Sequence, residues 1–365
     1  MLISPDSSAP YRDAASMRGL LQRIEAAVTR PWNIMEVCGG QTFTLTRYRL
    51  EELLPSEVKM LHGPGCPVCV TPAEVIDTAI SIASRKEVIL CSFGDMLRVP
   101  GTDGSLLRAK AAGADVRLLY SPVDAIKIAR ENPGREVVFL AIGFETTMPS
   151  YAVMVEKAAE AGIGNLSLLT SLYTVPAAVR AIKKDPDSRV DALLAAGHVC
   201  AVTGTAPYKA LAAQLNMPVV VTGFEPADML LGILRAVEML ERGESACVNA
   251  YRRVVKEEGN RVAQEAVSRV FSQAPAHWRG IGTIEGSGMV LRPGYEHFDA
   301  RRRWKDVKPA VCLAESSPCI AGRIMRGLAN PSDCVSFGCG CTPDNPLGAP
   351  MVSAEGVCAA HYRYR

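Results

Sequence analysis

Cys319, Cys334, Cys341 and Cys358 form a C-x14-C-x6-C-x16-C array near the end of the chain. Four thiols are the ligand count of a [4Fe-4S] cluster, and the residues around them show no apolar periodicity that would bury them as ordinary core. Further forward, Cys66-Pro67-Val68-Cys69 is a C-x-x-C motif, preceded by Gly63-Pro64-Gly65 and followed by Thr71-Pro72, which reads as a helix N-cap and first helical residue. Unpaired N–H groups at a helix N-terminus stabilise a thiolate, and two such thiols close a disulfide or share a metal. Taken alone the motif leaves open half a zinc site, a redox pair or chance; no second C-x-x-C and no H-x-x-x-H follows, which disfavours structural zinc. Cys38, in Met35-Glu36-Val37-Cys38-Gly39-Gly40-Gln41-Thr42, is followed by two glycines that permit close approach of a ligand or another backbone. A lone cysteine there would ordinarily be a small hydrophobe ending a strand, but its place along the chain parallels that of Cys66 and Cys69.

The elements that must position these thiols alternate. Strands are predicted at 34–37, 58–61, 88–91, 116–120, 137–142, 166–170, 191–195 and 218–222, separated by helical patterns at 72–84, 124–131, 151–161, 176–183, 206–215 and 227–242. Such alternation implies an α/β fold with parallel sheets and right-handed crossovers. Cys38-Gly39-Gly40, His62-Gly63-Pro64-Gly65-Cys66, Phe93-Gly94-Asp95 and Gly197-His198 each fall at the carboxyl end of a predicted strand. That edge is where open parallel sheets bind ligands, so these loops are expected to converge on one cleft. Two near-copies, Ile142-Gly143-Phe144-Glu145 and Thr222-Gly223-Phe224-Glu225, suggest two lobes of similar plan. After about Glu244 the alternation stops, and the chain reads as loop-rich, with 280–294 and 343–350 dense in Gly and Pro.

At 365 residues the chain exceeds one core of roughly 100 to 200 residues. Three domains are expected: 32–138 carrying Cys38, Cys66 and Cys69, 139–243, and a third from 1–31 with 244–365 that holds the cluster. No apolar run approaches the roughly 18 to 20 residues of a membrane span, and no signal-peptide core is visible, so a soluble protein of the reducing cytoplasm is expected. Lys+Arg 40 against Asp+Glu 38 gives a net charge of +2, and Arg301-Arg302-Arg303 is too short for a nucleic-acid footprint and reads as a solvated face. No Walker phosphate-loop pattern occurs.

The motifs Met35-Glu36-Val37-Cys38-Gly39-Gly40, His62-Gly63-Pro64-Gly65-Cys66-Pro67-Val68-Cys69-Val70-Thr71-Pro72, Gly143-Phe144-Glu145-Thr146-Thr147 and Gly197-His198-Val199-Cys200, followed by the four-cysteine array, resemble in this order the HypD family of hydrogenase maturation factors, over residues 33–364. The resemblance implies two α/β domains with parallel sheets plus a third holding a [4Fe-4S] cluster. It implies a scaffold on which the Fe(CN)2CO group of [NiFe]-hydrogenases is assembled, in complex with the small chaperone HypC, with cyanide arriving from HypE and HypF. By the same resemblance, Cys38, Cys66 and Cys69 match central cysteines associated with iron binding and thiol redox change. Cys319, Cys334, Cys341 and Cys358 match the cluster ligands, and His198 and Glu355 match polar positions near the site.

Soft thiolates suit iron carrying cyanide and carbon monoxide, a cluster relays single electrons, and a C-x-x-C pair stores two as dithiol or disulfide. A cluster feeding a dithiol beside Cys38-bound iron is therefore the expected order of events. One departure stands out: where similar proteins read G-G-H-T-H or G-G-Q-T-H, this chain has Gly39-Gly40-Gln41-Thr42-Phe43, and Phe43 neither ligates metal nor carries a proton. His62 is the nearest sequence candidate for that role. Cys339 is read as a non-ligand, Cys91, Cys200, Cys247 and Cys312 as packed core thiols, and His277 and His297 as surface or structural histidines. Glu145 and Thr146 are read either as cleft residues or as a helix cap. The rival to the scaffold is a dithiol-disulfide oxidoreductase resembling ferredoxin-dependent thioredoxin reductases, with Cys66 and Cys69 as its working pair.

Overall fold

A computed structural model describes residues 11–307 and 318–364. The strands are β1 (Trp32–Glu36), β2 (Val58–His62), β3 (Val88–Ser92), β4 (Val116–Leu118), β5 (Glu136–Gly143), β6 (Leu166–Leu172), β7 (Ala192–Ala196), β8 (Val219–Thr222), β9 (Cys247–Asn249), β10 (Phe271–Trp278) and β11 (Gly282–Leu291). They build one five-stranded parallel sheet in the order β2-β1-β7-β8-β9, a four-stranded parallel sheet in the order β4-β3-β5-β6, and an antiparallel hairpin of β10 and β11. The α/β class and its parallel sheets are those the alternation implies.

Near-continuous apolar strands need cover on both faces, because side chains alternate sides along a strand. In the first sheet Ile34, Met60, Leu194 and Val220 face a core shared with the helices Ala14–Ala27 and Pro226–Glu241. Their alternates Met35, Leu193 and Val221 join Leu90, Val138 and Leu140 of the second sheet in one continuous core. The other face of the second sheet, with Ile89, Val137 and Phe139, is covered by the helices Asp124–Glu131, Met148–Glu160 and Arg261–Val270.

The domain boundaries differ from those expected. A cut between 138 and 139 would fall inside β5, and the sheets interleave: the chain leaves the first sheet after β2, builds the whole second sheet, then returns at β7. Alternation shows where strands are but not which of them pair, since pairing is made by contacts distant in sequence. The helix Ala14–Ala27 packs on Pro226–Glu241 beside the first sheet rather than joining the C-terminal segment. The stretch after 244 is also not merely loop. Its glycines turn and bend the β10–β11 hairpin, with Gly280 and Gly282 at φ 71° and 106°, a use of glycine that breaks the alternation signal.

Arg301 and Arg302 are exposed, as a solvated face requires, while Arg301 also donates to the Thr170 carbonyl at 2.9 Å and Arg303 pairs with Glu136 at 2.5 Å, which ties the run to β6 and β5. Cys91 and Cys200 are buried in full, Cys247 is half-buried on the edge strand β9, and Cys312 lies outside the described residues. His277 and His297 are exposed, the first bonded to Thr283 at 3.2 Å and the second resting on the Phe298 ring.

The hairpin is fastened to the second sheet by Trp278, wholly buried, whose ring lies 4.6 Å from Tyr173 and 5.9 Å from Phe144 while its Nε1 donates to Ser287 at 2.8 Å. Trp278→Ala should cost about 3–5 kcal/mol by cavity formation and lost burial. The urea unfolding midpoint checks this, and a small change would mean the hairpin is not part of the core.

Candidate thiol centre and cluster seat

β2, β1 and β7 are neighbouring parallel strands, with Glu36 in register with both His62 and Leu194. Their carboxyl ends therefore lie in a row and deliver Cys66 and Cys69, Cys38, and His198 to one edge of one sheet. Phe93-Gly94-Asp95 ends a strand of the other sheet. Phe93 packs against Phe139 and Tyr151, and the turn it starts, Gly94–Arg98, reaches the C-terminal segment through Arg98, which donates to the Val352 carbonyl at 2.7 Å.

Cys38 caps the helix Gly39–Arg47, and its Sγ lies 3.7 Å from Nδ1 of His198. Burial pushes the Cys38 thiol up, against which the Gly40 and Gln41 amides at the helix start pull it down; burial wins. His198 sits at the solvent-facing mouth of the site, and the protein packed around its inner side holds its pKa down to about 4, so the imidazole next to the sulfur is neutral at pH 7. The Phe224 ring closes over this pair, 5.1 Å from the His198 ring. A Cβ on Gly40 would stand 3.1 Å from Phe224, and one on Gly65 only 2.2 Å from the Cys38 nitrogen. The second glycine is thus what lets the C-x-x-C loop lie against Cys38.

Glu36, fully buried at the end of β1, organises this edge. Its carboxylate accepts from the Cys38 N–H at 2.8 Å, from Thr42 Oγ1 at 2.5 Å and from His62 Nδ1 at 2.8 Å. Burial alone would lower the His62 pKa, but its bonds to Glu36 and Glu51 outweigh that and hold it up at about 10. His62 thus reaches Cys38 only through Glu36, and the histidine beside the sulfur is His198. Phe43 instead packs edge-on to Tyr364 at 5.5 Å, joining the first helix after Cys38 to the last helix of the chain.

Cys66 caps the short helix Pro67–Val70 that carries Cys69, and the two side chains are hydrogen-bonded. The Cys69 thiol is raised by burial first and then by Cys66, and it also senses the charges of Cys358 and Glu355. Cys38 senses Glu355 as well. Glu355 is brought there because Gly39 leaves room for its backbone: a Cβ on Gly39 would be 2.5 Å from the Glu355 carbonyl oxygen. Its side chain reaches solvent, and its carboxyl is raised by partial burial and then by Asp95.

The four C-terminal cysteines lie close enough together to sense one another's charge. Burial raises Cys358, and the charges of Cys319, Cys341 and Cys334 add to that. The Leu347 N–H donates to Cys341 Sγ at 3.3 Å, an amide–sulfur bond of the kind that tunes iron–sulfur centres, and a Cβ on Gly348 would collide with the Cys319 sulfur. Cys339 turns away to solvent and bonds to the Val335 carbonyl. The donor set of four convergent thiols fits a [4Fe-4S] cluster.

A second buried polar group flanks the centre. The Glu145 carboxylate accepts from the Val175 N–H at 3.0 Å, while its other oxygen has no partner among the described residues; the Tyr208 hydroxyl is in the same position and senses Glu145, Cys200 and Cys38. The two Gly-Phe-Glu copies thus occupy equivalent strand ends yet differ in use. Glu145 is buried, whereas Glu225 caps the helix Pro226–Glu241 and pairs with Arg12. Sequence reasoning missed Glu36, whose signal was a carboxylate closing an otherwise apolar strand, and Tyr208, which carried none.

A two-sheet α/β protein with a buried thiol centre at one sheet edge and a four-cysteine C-terminal seat is the class these observations define. A family model described as HypD, hydrogenase formation hypA family, matches residues 15–365. The chain is 45% identical over 364 residues to the hydrogenase maturation factor HypD of Rhodobacter capsulatus, covering 97% of each protein. It is 45% identical over 350 residues to HypD of Escherichia coli K12, covering 96% of this chain and 93% of that one. The chain belongs to the HypD family of hydrogenase maturation factors. No helix among the described residues is long and apolar enough to cross a membrane.

Because burial lifts the Glu145 carboxyl to about 7, the folded chain keeps a proton that the unfolded chain has released between roughly pH 4.5 and 7. Stability from this group is present below that window and falls as pH rises through it, by up to about 3 kcal/mol. Glu145→Gln should flatten this part of the pH profile of the urea midpoint. A profile identical to wild type would refute it.

Proposed function

We propose that this protein is a cytoplasmic scaffold on which the Fe(CN)2CO group is assembled, in complex with a HypC-type chaperone and with cyanide supplied by HypE and HypF. The observation that carries the reading is the convergence of Cys38, His198 and the Cys66–Cys69 pair at the ends of three adjacent strands, in a chain of this family. Iron(II) bearing cyanide and carbon monoxide is the cargo, and soft thiolates are apt to hold it.

Cys38 is the residue to which iron binds. Its buried thiol stays protonated until a metal displaces the proton, and the neutral, solvent-facing His198 beside it provides the exit. Gln41 Nε2, buried without a partner among the described residues, offers a hydrogen-bond donor one helical turn from Cys38. Cys66 and Cys69 can give up two electrons and two protons in closing a disulfide. Cys319, Cys334, Cys341 and Cys358 would hold a [4Fe-4S] cluster, which supplies one-electron transfer when bound. The eleven described cysteines are all unbridged, which suits a reducing compartment.

The reductase reading asks that Cys66 or Cys69 attack a disulfide of another protein. At 4% and 3% exposed, neither sulfur can meet one without opening the loop, which favours a small cargo. Infrared spectroscopy of anaerobically isolated protein with its chaperone tests the proposal. Wild type should show bands of metal-bound cyanide and carbon monoxide, and Cys38→Ala should lose both while keeping its cluster absorbance. Retention of the bands in Cys38→Ala would overturn the assignment.

A further inference from the structure

Glu51, His62 and His361 come together from the helix Leu50–Leu53, the end of β2 and the last helix, Val357–Tyr364. Their ligand atoms lie within 4.8 Å of one another, outside the thiol centre. Nε2 of His62 is 3.1 Å from Glu51 Oε1 and 3.3 Å from Nε2 of His361, and the two rings meet at 87°. A tetrahedral ion with bonds of about 2.0–2.2 Å sets its ligands about 3.3–3.6 Å apart, close to both spacings.

The surroundings have the form of a metal site. Nδ1 of His62 is given to the buried Glu36 carboxylate at 2.8 Å, the carboxylate–histidine arrangement that fixes the tautomer and turns Nε2 toward a metal. In the metal-free chain His62 Nε2 also carries a proton, which its bonds to Glu36 and Glu51 hold in place, and it faces a carboxylate oxygen and a second imidazole nitrogen. A dication binds here by displacing that proton from between the same three ligand atoms. His62 and His361 are 3% and 4% exposed, so the cation would be shielded from bulk water.

We propose that Glu51, His62 and His361 bind a divalent transition metal, with zinc the best-matched ion for two imidazoles and a carboxylate. The site is sulfur-free and separate from both the thiol centre and the cluster seat. Its position gives it a role. His361 follows Cys358 by three residues on the same helix, and His62 precedes Cys66 by four, so the ion clamps the helix that carries a cluster cysteine to the strand that feeds the C-x-x-C loop.

Full-length protein with its cluster assembled anaerobically is dialysed against zinc and then analysed for metal, alongside Glu51→Gln and His361→Ala. Wild type should retain one equivalent more than either variant, with affinity at this site falling more than about tenfold in each. A Cys38→Ser/Cys66→Ser/Cys69→Ser background removes competing thiols, and there cobalt should give visible d–d bands without sulfur-to-cobalt charge transfer, lost on adding Glu51→Gln. Unchanged cluster absorbance certifies that each variant is folded. Equal zinc content in wild type and both variants, or sulfur charge-transfer bands that Glu51→Gln leaves intact, would overturn the site and leave a proton as the group shared by these three residues.

Discussion

A buried carboxylate must find donors or it destabilises the fold around it, and Glu36 finds three. They come from the next loop, the next helix and the neighbouring strand: the Cys38 amide, the Thr42 hydroxyl and the His62 imidazole. The same bonds fix the backbone on which the Cys38 sulfur is carried, lock β1 to the end of β2, and set the direction in which His62 faces the C-terminal helix. Removing any one donor leaves charge uncompensated in a dry place, so the thiol edge and the C-terminal helix are coupled through this single group.

Around that anchor the thiols are kept quiet by burial. Cys38, Cys69 and Cys358 are all held above the ordinary thiol range, each by desolvation before any other cause. Helix-start amides oppose burial at Cys38 without winning. The helix N-terminus expected to favour the thiolate of the C-x-x-C pair does not do so at Cys69, where burial is the first cause and no helix amide opposes it. Such thiols resist adventitious oxidation and become ligands once a metal replaces the proton. Glycines at 39, 40 and 65 make the close packing possible, because a methyl at any of them would press on Glu355, Phe224 or Cys38.

Much of this was legible beforehand. All eight predicted strands exist within a residue or two, and Cys38, Cys66 and His198 do sit at strand carboxyl ends, since loops after parallel strands are short and their motifs stay close in sequence to the strand. The glycine-rich hairpin was not legible, because Gly280, Gly282 and Gly286 interrupt the alternation that marks strands while serving as its turns. Nor was the bond from the exposed Arg301 to the Thr170 carbonyl, 131 residues away.

The chain's own order of residues determined the donor inventory, the spacing of its cysteines and the strand ends that carry them, because those depend on local propensity and neighbours a few residues apart. Only the tertiary structure decided that β2, β1 and β7 lie side by side, that the second sheet is an excursion between β2 and β7, and that His361 meets His62 across 299 residues. Strand order, burial and the pairing of distant side chains arise from packing that many sequence-remote groups share, and no local pattern encodes it.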